Sequence, residues 1–486
     1  MLQRLRAFAR AGDAPLPGLP FRSLEQEARA AVGRLDLAIM DALDGEVDAG
    51  QARMFARRHR DVATLLESLS PGSPAARVLR VGLWRRLVDV LAAPPPRALR
   101  VRAVVDFYYS MAAVTRHAAD GGPCLAERVA TLAWGPVAPG VRHACMGGRT
   151  DEGPLLVNIL EVAPGCRVQA RDTRGVPDLA SFVTEQGACA ATSGGFFLYS
   201  EPEIRPPSAR HDLVGLLVEA GQVRSPATLG RTCLVQGTDG RFRIERIGPD
   251  AFRLGVPDGR TLLVTGRNTA PHDGPGLQAT AWDRAHGRRA PALAGPWLEV
   301  VGTHARWHPP GEADIPLNGL LLALPPDTQP LGGEVRWQAP AAIATAMAGG
   351  PRLLRDGALD LERLADDFAG DAPPVTFSQD ETWDQNRLPR LAAGLREDGT
   401  LVLVAIDGRN MERAPGFTLA GTAVLLRHLG CVDAMNLDGG SSKRMIVDGR
   451  TVDLSTTEVV ADLSAPARVR PVHSALLVFP RGTTPD

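Results

Sequence analysis

The stretch TLVLVAIDGRNMERAPGFTLAGTAVLLRHLGCVDAMNLDGGSS, residues 400–442, decides how the rest of the chain must fold. An apolar run over 401–406 ends in Asp407, a loop with glycine and proline follows, TLAGTAVLLRHLG has helical spacing, and a second apolar run ends in Asp438. Thr418 or Gly416 can start the helix, and Gly430 can stop it. A strand–helix–strand unit of this length is normally a right-handed crossover joining parallel strands. If the two strands are neighbours, Asp407 and Asp438 share one sheet edge on backbones about 5 Å apart. In open α/β sheets that carboxyl edge is where ligands bind. Asp-Gly is also an ordinary turn, as VDGR at 447–450 reads, so it is the pair of acids, rather than either one, that points to a site.

On both sides of this unit the pattern continues. From about residue 154, LLVNILEV, CRVQA, LVGLLVEAGQV, RFRIERI, TLLVTG and WLEVVG are short β-rich runs between Gly, Pro and Asp turns. DLASFVTEQG and LERLADDFA are helical pieces among them. Earlier, residues 22–118 carry apolar positions three and four apart, with Ser23 as a candidate N-cap and PGSP and PPP as punctuation. Phe107, Tyr108 and Tyr109 read as a core cluster or a binding face. The expected fold is an α+β or α/β mixed-sheet catalytic domain at 151–486, preceded by an all-α helical-bundle domain at 1–150.

The chain has 486 residues and a formal net charge of −1, which gives no global argument for nucleic acid. Among 54 Lys and Arg residues, Lys443 is the sole lysine. No N-terminal apolar core marks a secretory signal, and no run is long and apolar enough for a membrane span. Six scattered cysteines without CxxC spacing fit a reducing compartment, so the expected location is cytoplasmic. His304 and His308 frame Trp307 in THARWHPP, where the prolines argue for a loop over a metal pair. The acidic stretch 370–386 reads as a solvated loop, with Glu381 and Asp384 close to Arg390 in sequence.

Further motifs surround the opening unit: SGGFF (193–197), GGPRLLRDG (349–357), PRLAAGL (389–395) and RPVHSALLVF (470–479). With AIDGR and NLDGGSS, and in this order, they resemble the phosphodiester glycosidase family. The resemblance spans about 152–480, with a poorly matching insertion at about 200–340. Where the family commonly has asparagine, this chain has Ser193 and His473. Ser441 stands where a third glycine is frequent, and a small residue is usual near Lys443.

The resemblance implies cleavage of the glycosidic C–O bond of a sugar-1-phosphodiester, in a small molecule or a glycan. The phosphomonoester that leaves is a weak base, so the demands are stabilising an oxocarbenium-like transition state, activating water and binding phosphate. Carboxylates meet the first two, for which Asp438 and Asp407 are the catalytic candidates. Guanidinium groups meet the third, with Arg390 and Arg470 as clamps and Lys443 and Arg444 as helpers. The backbone of Gly439 and Gly440 and the hydroxyls of Ser441 and Ser442 are expected donors. Ser193, Gly194, Gly195, Asn436 and His473 are expected to line the site. No cofactor is expected, though a divalent cation shared by Asp407 and Asp438 stays open. Two alternatives also stay open: a sugar-phosphate-binding or assembly protein whose helical domain docks a partner, and a metal-dependent phosphodiesterase.

Overall fold

A computed structural model of the chain describes residues 122–150, 153–197, 212–227, 230–267, 277–281, 289–316, 319–361, 388–408, 414, 416–454 and 471–482. The expected helical bundle, with Phe107, Tyr108 and Tyr109, lies outside the described residues. So do Arg470, the acidic stretch with Glu381 and Asp384, and all but the first residue of LERLADDFA.

Leu401–Ile406 forms the strand that its sequence demands, because six apolar residues in a row can bury both faces of a sheet. Its neighbours overturn the expected fold class. The strand sits in an eight-stranded sheet that is antiparallel throughout. Further sheets of thirteen, five and two strands and only three α-helices complete the described residues. No all-α bundle occurs among them, and the region expected to be catalytic is mostly antiparallel β rather than an α/β mixed sheet.

The physical reason lies in one inserted strand. Leu401–Ile406 and Asp433–Leu437 do run parallel to each other, but Arg390–Leu395 lies between them and pairs antiparallel with both. A chain segment from before the crossover unit thus fills the gap that a parallel neighbour would have occupied. The backbones that end in Asp407 and Asp438 are two strand spacings apart, about 10 Å instead of about 5 Å.

The layers follow from side-chain alternation. One face of the central sheet, with Val402, Val404, Ile406, Ala392 and Ala434, packs on helix Leu419–His428. The other face, with Leu401, Leu403, Ala405, Met435 and Leu437, packs on the five-stranded sheet through Val168, Ala170, Ala190, Leu476 and Val478. Helix Leu179–Glu185 covers the far side of that second sheet through Val183. The order is therefore helix, sheet, sheet, helix.

Thr418 caps helix Leu419–His428 by accepting from the Gly421 N–H at 3.0 Å, and Gly430 ends it with a φ of +85°. Val424, Leu425 and Leu426 are fully buried there, each contributing about 1.5–3 kcal/mol of transfer free energy.

The hairpin of Val141–Thr150 and Gly153–Val162 joins the central sheet through Leu401–Ile406, so residues on both sides of position 150 share one sheet. The insertion between the two family-like parts packs around Phe252, Trp297, Leu320 and Trp337, a core that also takes in Phe196 and Ala348, while its Leu217, Leu234 and Ile244 join the core of the central sheet. His304–His308 is a strand rather than a loop, and His308 contacts Glu299 at 2.6 Å. No helix among the described residues is long and apolar enough to cross a membrane.

Candidate active site

The inserted strand also supplies a site residue. Arg390 lies opposite Ile406 and Leu391 opposite Leu437, so the start of this strand meets the ends of its two neighbours at one edge. Asp407, Arg390 and Asp438 therefore follow one another along that edge. Alternation separates their directions. Asp407 continues the Ala405 side, toward the five-stranded sheet, whereas Arg390 and Asn436 belong to the helix side. The Arg390 Nε donates to the Phe417 carbonyl at 3.0 Å, just before the helix cap.

Backbone hydrogen bonds draw the predicted motifs together at this edge. The Asp438 N–H donates to the Gly194 carbonyl at 3.0 Å, and the Gly440 N–H donates to the Pro389 carbonyl at 2.9 Å. Asn436 exchanges backbone bonds with Gly350 and Pro351, and its Nδ2 donates to the Gly350 carbonyl at 3.1 Å. The Gly195 N–H donates to the Ser474 hydroxyl at 2.9 Å. Two glycines are required by geometry. Gly440 has a φ of +56°, and a Cβ on Gly195 would stand 2.3 Å from the Ala348 carbonyl oxygen.

Exposure sorts the candidates. Asp438, Gly439 and Gly440 keep partial solvent access, while Ser193, Gly194, Gly195, Arg390, Asn436, Ser441, Ser442, Lys443, Arg444 and His473 are buried. The Ser193 hydroxyl accepts from the Arg444 N–H at 3.0 Å, so it splices two strands. His473 stacks edge-on against Phe197, with ring centroids 4.3 Å apart. The Gly440 N–H, expected to reach a ligand, is already donated to Pro389.

Asp407 and Lys443 depart most from expectation. The carboxyl of Asp407 is 1 % exposed and pairs with Lys443, which is itself fully buried. The Lys443 ammonium also donates to Asp453 Oδ2 at 2.6 Å and to the Leu454 carbonyl at 3.3 Å. Asp407 Oδ1 accepts the Leu454 N–H at 3.0 Å, and its Oδ2 has no hydrogen-bond partner. Burial pushes the Asp407 carboxyl above the usual carboxylate range, and the Lys443 charge offsets part of that rise. Lys443 is thus turned inward to two acids. Asp453 was invisible to sequence reasoning, since it follows an ordinary hairpin. The sole lysine's need for a buried counter-charge was the one available signal.

No group of three or more His, Cys, Asp or Glu suited to a metal occurs among the described residues.

Residues 319–479 match the family model of phosphodiester glycosidases. The resemblance read from the motifs is thereby borne out over that segment, which holds Arg390, Asp407, Asp438 and His473. The match suggests hydrolase chemistry on a phosphodiester-linked sugar. The SPbeta prophage-derived protein YomE of Bacillus subtilis (strain 168) is 41% identical over 85 residues, 17% of this chain and 13% of that protein. The chain therefore spans a small part of that relative's length.

Similar solved structures include a protein described as exported from Burkholderia pseudomallei K96243. It is 23% identical with a TM-score of 0.45, over 69% of this chain and 76% of that one. A Synechocystis protein is 21% identical with a TM-score of 0.44, over 70% and 62%. The catalytic domain of zebrafish N-acetylglucosamine-1-phosphodiester alpha-N-acetylglucosaminidase is 14% identical with a TM-score of 0.41, over 71% and 85%.

Proposed function

We propose that the Asp438 edge is the active site of a hydrolase that cleaves the glycosidic C–O bond of a sugar-1-phosphodiester. Water oxygen bonds to the anomeric carbon, the C–O bond to phosphate breaks, and the phosphomonoester leaves with its electron pair. Asp438 is the carboxylate that stabilises the oxocarbenium-like transition state or takes the proton from water. Arg390 and Arg470 hold the phosphate. Asn436 orients the sugar from the floor of the edge, since its Oδ1 is buried without a hydrogen-bond partner.

The observation that carries this reading is the position of Asp438. It is the predicted carboxylate that keeps solvent access, it lies within the segment that matches the family, and it sits at an edge where hydrogen bonds join five motif segments. Turnover of methyl sugar-1-phosphodiesters in ¹⁸O-water tests it. Label in the sugar is the expected result, and Asp438→Asn is expected to lower kcat by about 10²–10⁴-fold in a folded protein. Label in the phosphate would overturn the reading in favour of a phosphodiesterase.

A second reading, a protein that binds a sugar phosphate without turning it over, is favoured by one observation. Glycosidases commonly use two carboxylates, and the Asp407 carboxyl is sequestered by Lys443. Saturable binding without label in either product would establish it.

A further inference from the structure

We propose that Lys443 is a positioning residue: its ammonium is a built-in counter-cation that fixes the Asp438–Ser442 turn against the sheet edge. The inference deepens the reading of Asp438 given above and rests on it for its catalytic part.

Backbone bonds from Asp438 to Gly194 and from Gly440 to Pro389 hold the start and middle of the turn, and its end is fixed by the residue that follows it. Gly439 and Gly440 carry the largest conformational freedom of any residue type, and a single 3₁₀ turn at Gly440–Ser442 is a weak element. Lys443 is the residue that closes this turn, as its C-cap. Its ammonium reaches acceptors on two other segments. Asp407 ends strand Leu401–Ile406, while Asp453 and Leu454 follow the hairpin of Met445–Val447 and Arg450–Thr451. Both acids are tied in again by backbone, Asp453 Oδ1 accepting the Met445 N–H at 2.6 Å and Asp407 Oδ1 accepting the Leu454 N–H. One cation thus fastens the turn to the sheet and to the hairpin together.

The choice of residue fits this task. The chain uses arginine everywhere else, yet here it uses lysine. An ammonium has three N–H donors, and three acceptors surround it. A planar guanidinium has five donors. Even if one reached the unpartnered Asp407 Oδ2, at least one buried N–H would be left unsatisfied. Without any cation, two buried carboxylates would face each other and drive the segments apart.

Lys443→Met in the full chain tests the proposal, read by hydrogen exchange of the peptide over 438–442 and by kinetics on a methyl sugar-1-phosphodiester. Exchange of the turn is expected to rise about tenfold or more while strand Leu401–Ile406 stays protected. The kcat is expected to fall about 10²-fold with KM little changed, because a displaced carboxylate loses alignment rather than substrate. Lys443→Arg is expected not to restore kcat. If Lys443→Met fails to fold, Lys443→Met/Asp453→Asn removes one acid with the cation and carries the same expectations. Unchanged exchange in the turn, or unchanged kcat in either variant, would overturn the proposal. If the native chain turns over no sugar-1-phosphodiester, the earlier functional reading falls, and the exchange result alone decides whether the lysine anchors the turn.

Discussion

Gly195 stands with the place of its missing Cβ 2.3 Å from the Ala348 carbonyl oxygen, an atom fixed in backbone that cannot swing aside. Gly195→Ala should therefore cost about 1–3 kcal/mol as an overpacking change. Urea unfolding of the variant against the native chain checks this, and an unchanged midpoint would contradict the close approach. Legibility at this scale was uneven. Asp438 stands out in the sequence because it ends an apolar run and is followed by two glycines and two serines, and the structure leaves it partly exposed. Ser193 and Lys443 were also picked out, as ligand contacts, and in the structure both are buried and bonded to other parts of the chain. Which way a polar side chain turns depends on partners far along the chain. Asp407 and Asp453 lie on different segments from Lys443, and no local pattern could reveal that the three converge.

Helix Leu419–His428 shows how an element fixes a neighbouring side chain through its cap. Its cap is Thr418, and the residue before the cap, Phe417, presents the carbonyl that receives the Arg390 Nε. Thr418→Ala should cost about 1 kcal/mol, measured as a lower denaturation midpoint. With the helix start loosened, the KM for a sugar-1-phosphodiester should rise more than kcat falls, since Arg390 is proposed to hold phosphate. The strands and this helix were legible because burial on one or both faces writes itself into alternation and spacing. The order of strands was not. Nothing in 401–437 says that 390–395 will slip between the two strands, because that choice is made by backbone bonds from another part of the chain.

At the scale of the whole molecule, a buried thiol, Cys431, and a half-buried one, Cys189, weaken the fold at alkaline pH. Burial pushes the Cys431 thiol up to about 12 and the Cys189 thiol up to about 11, against 9.0 for an ordinary cysteine. Above pH 9.0 the unfolded chain releases these protons while the folded chain retains them, so unfolding is increasingly favoured as pH rises toward the folded values. Urea midpoints should hold level up to about pH 9 and fall beyond it, less steeply in Cys431→Ala. The expected α+β or α/β mixed sheet is overturned: the two strands of the crossover unit run parallel as expected but are not neighbours, and the sheet around them is antiparallel. Helical pieces between β-rich runs pointed to a mixed sheet, while antiparallel pairing supplies the central sheet throughout.

The burial of Lys443 has a consequence for reagents as well. The chain's one ε-amine is sealed inside the folded molecule. Acylating compounds and lysine-conjugating enzymes find no side-chain handle on the native surface, and acylation at this position would serve as a clock for the opening of the turn.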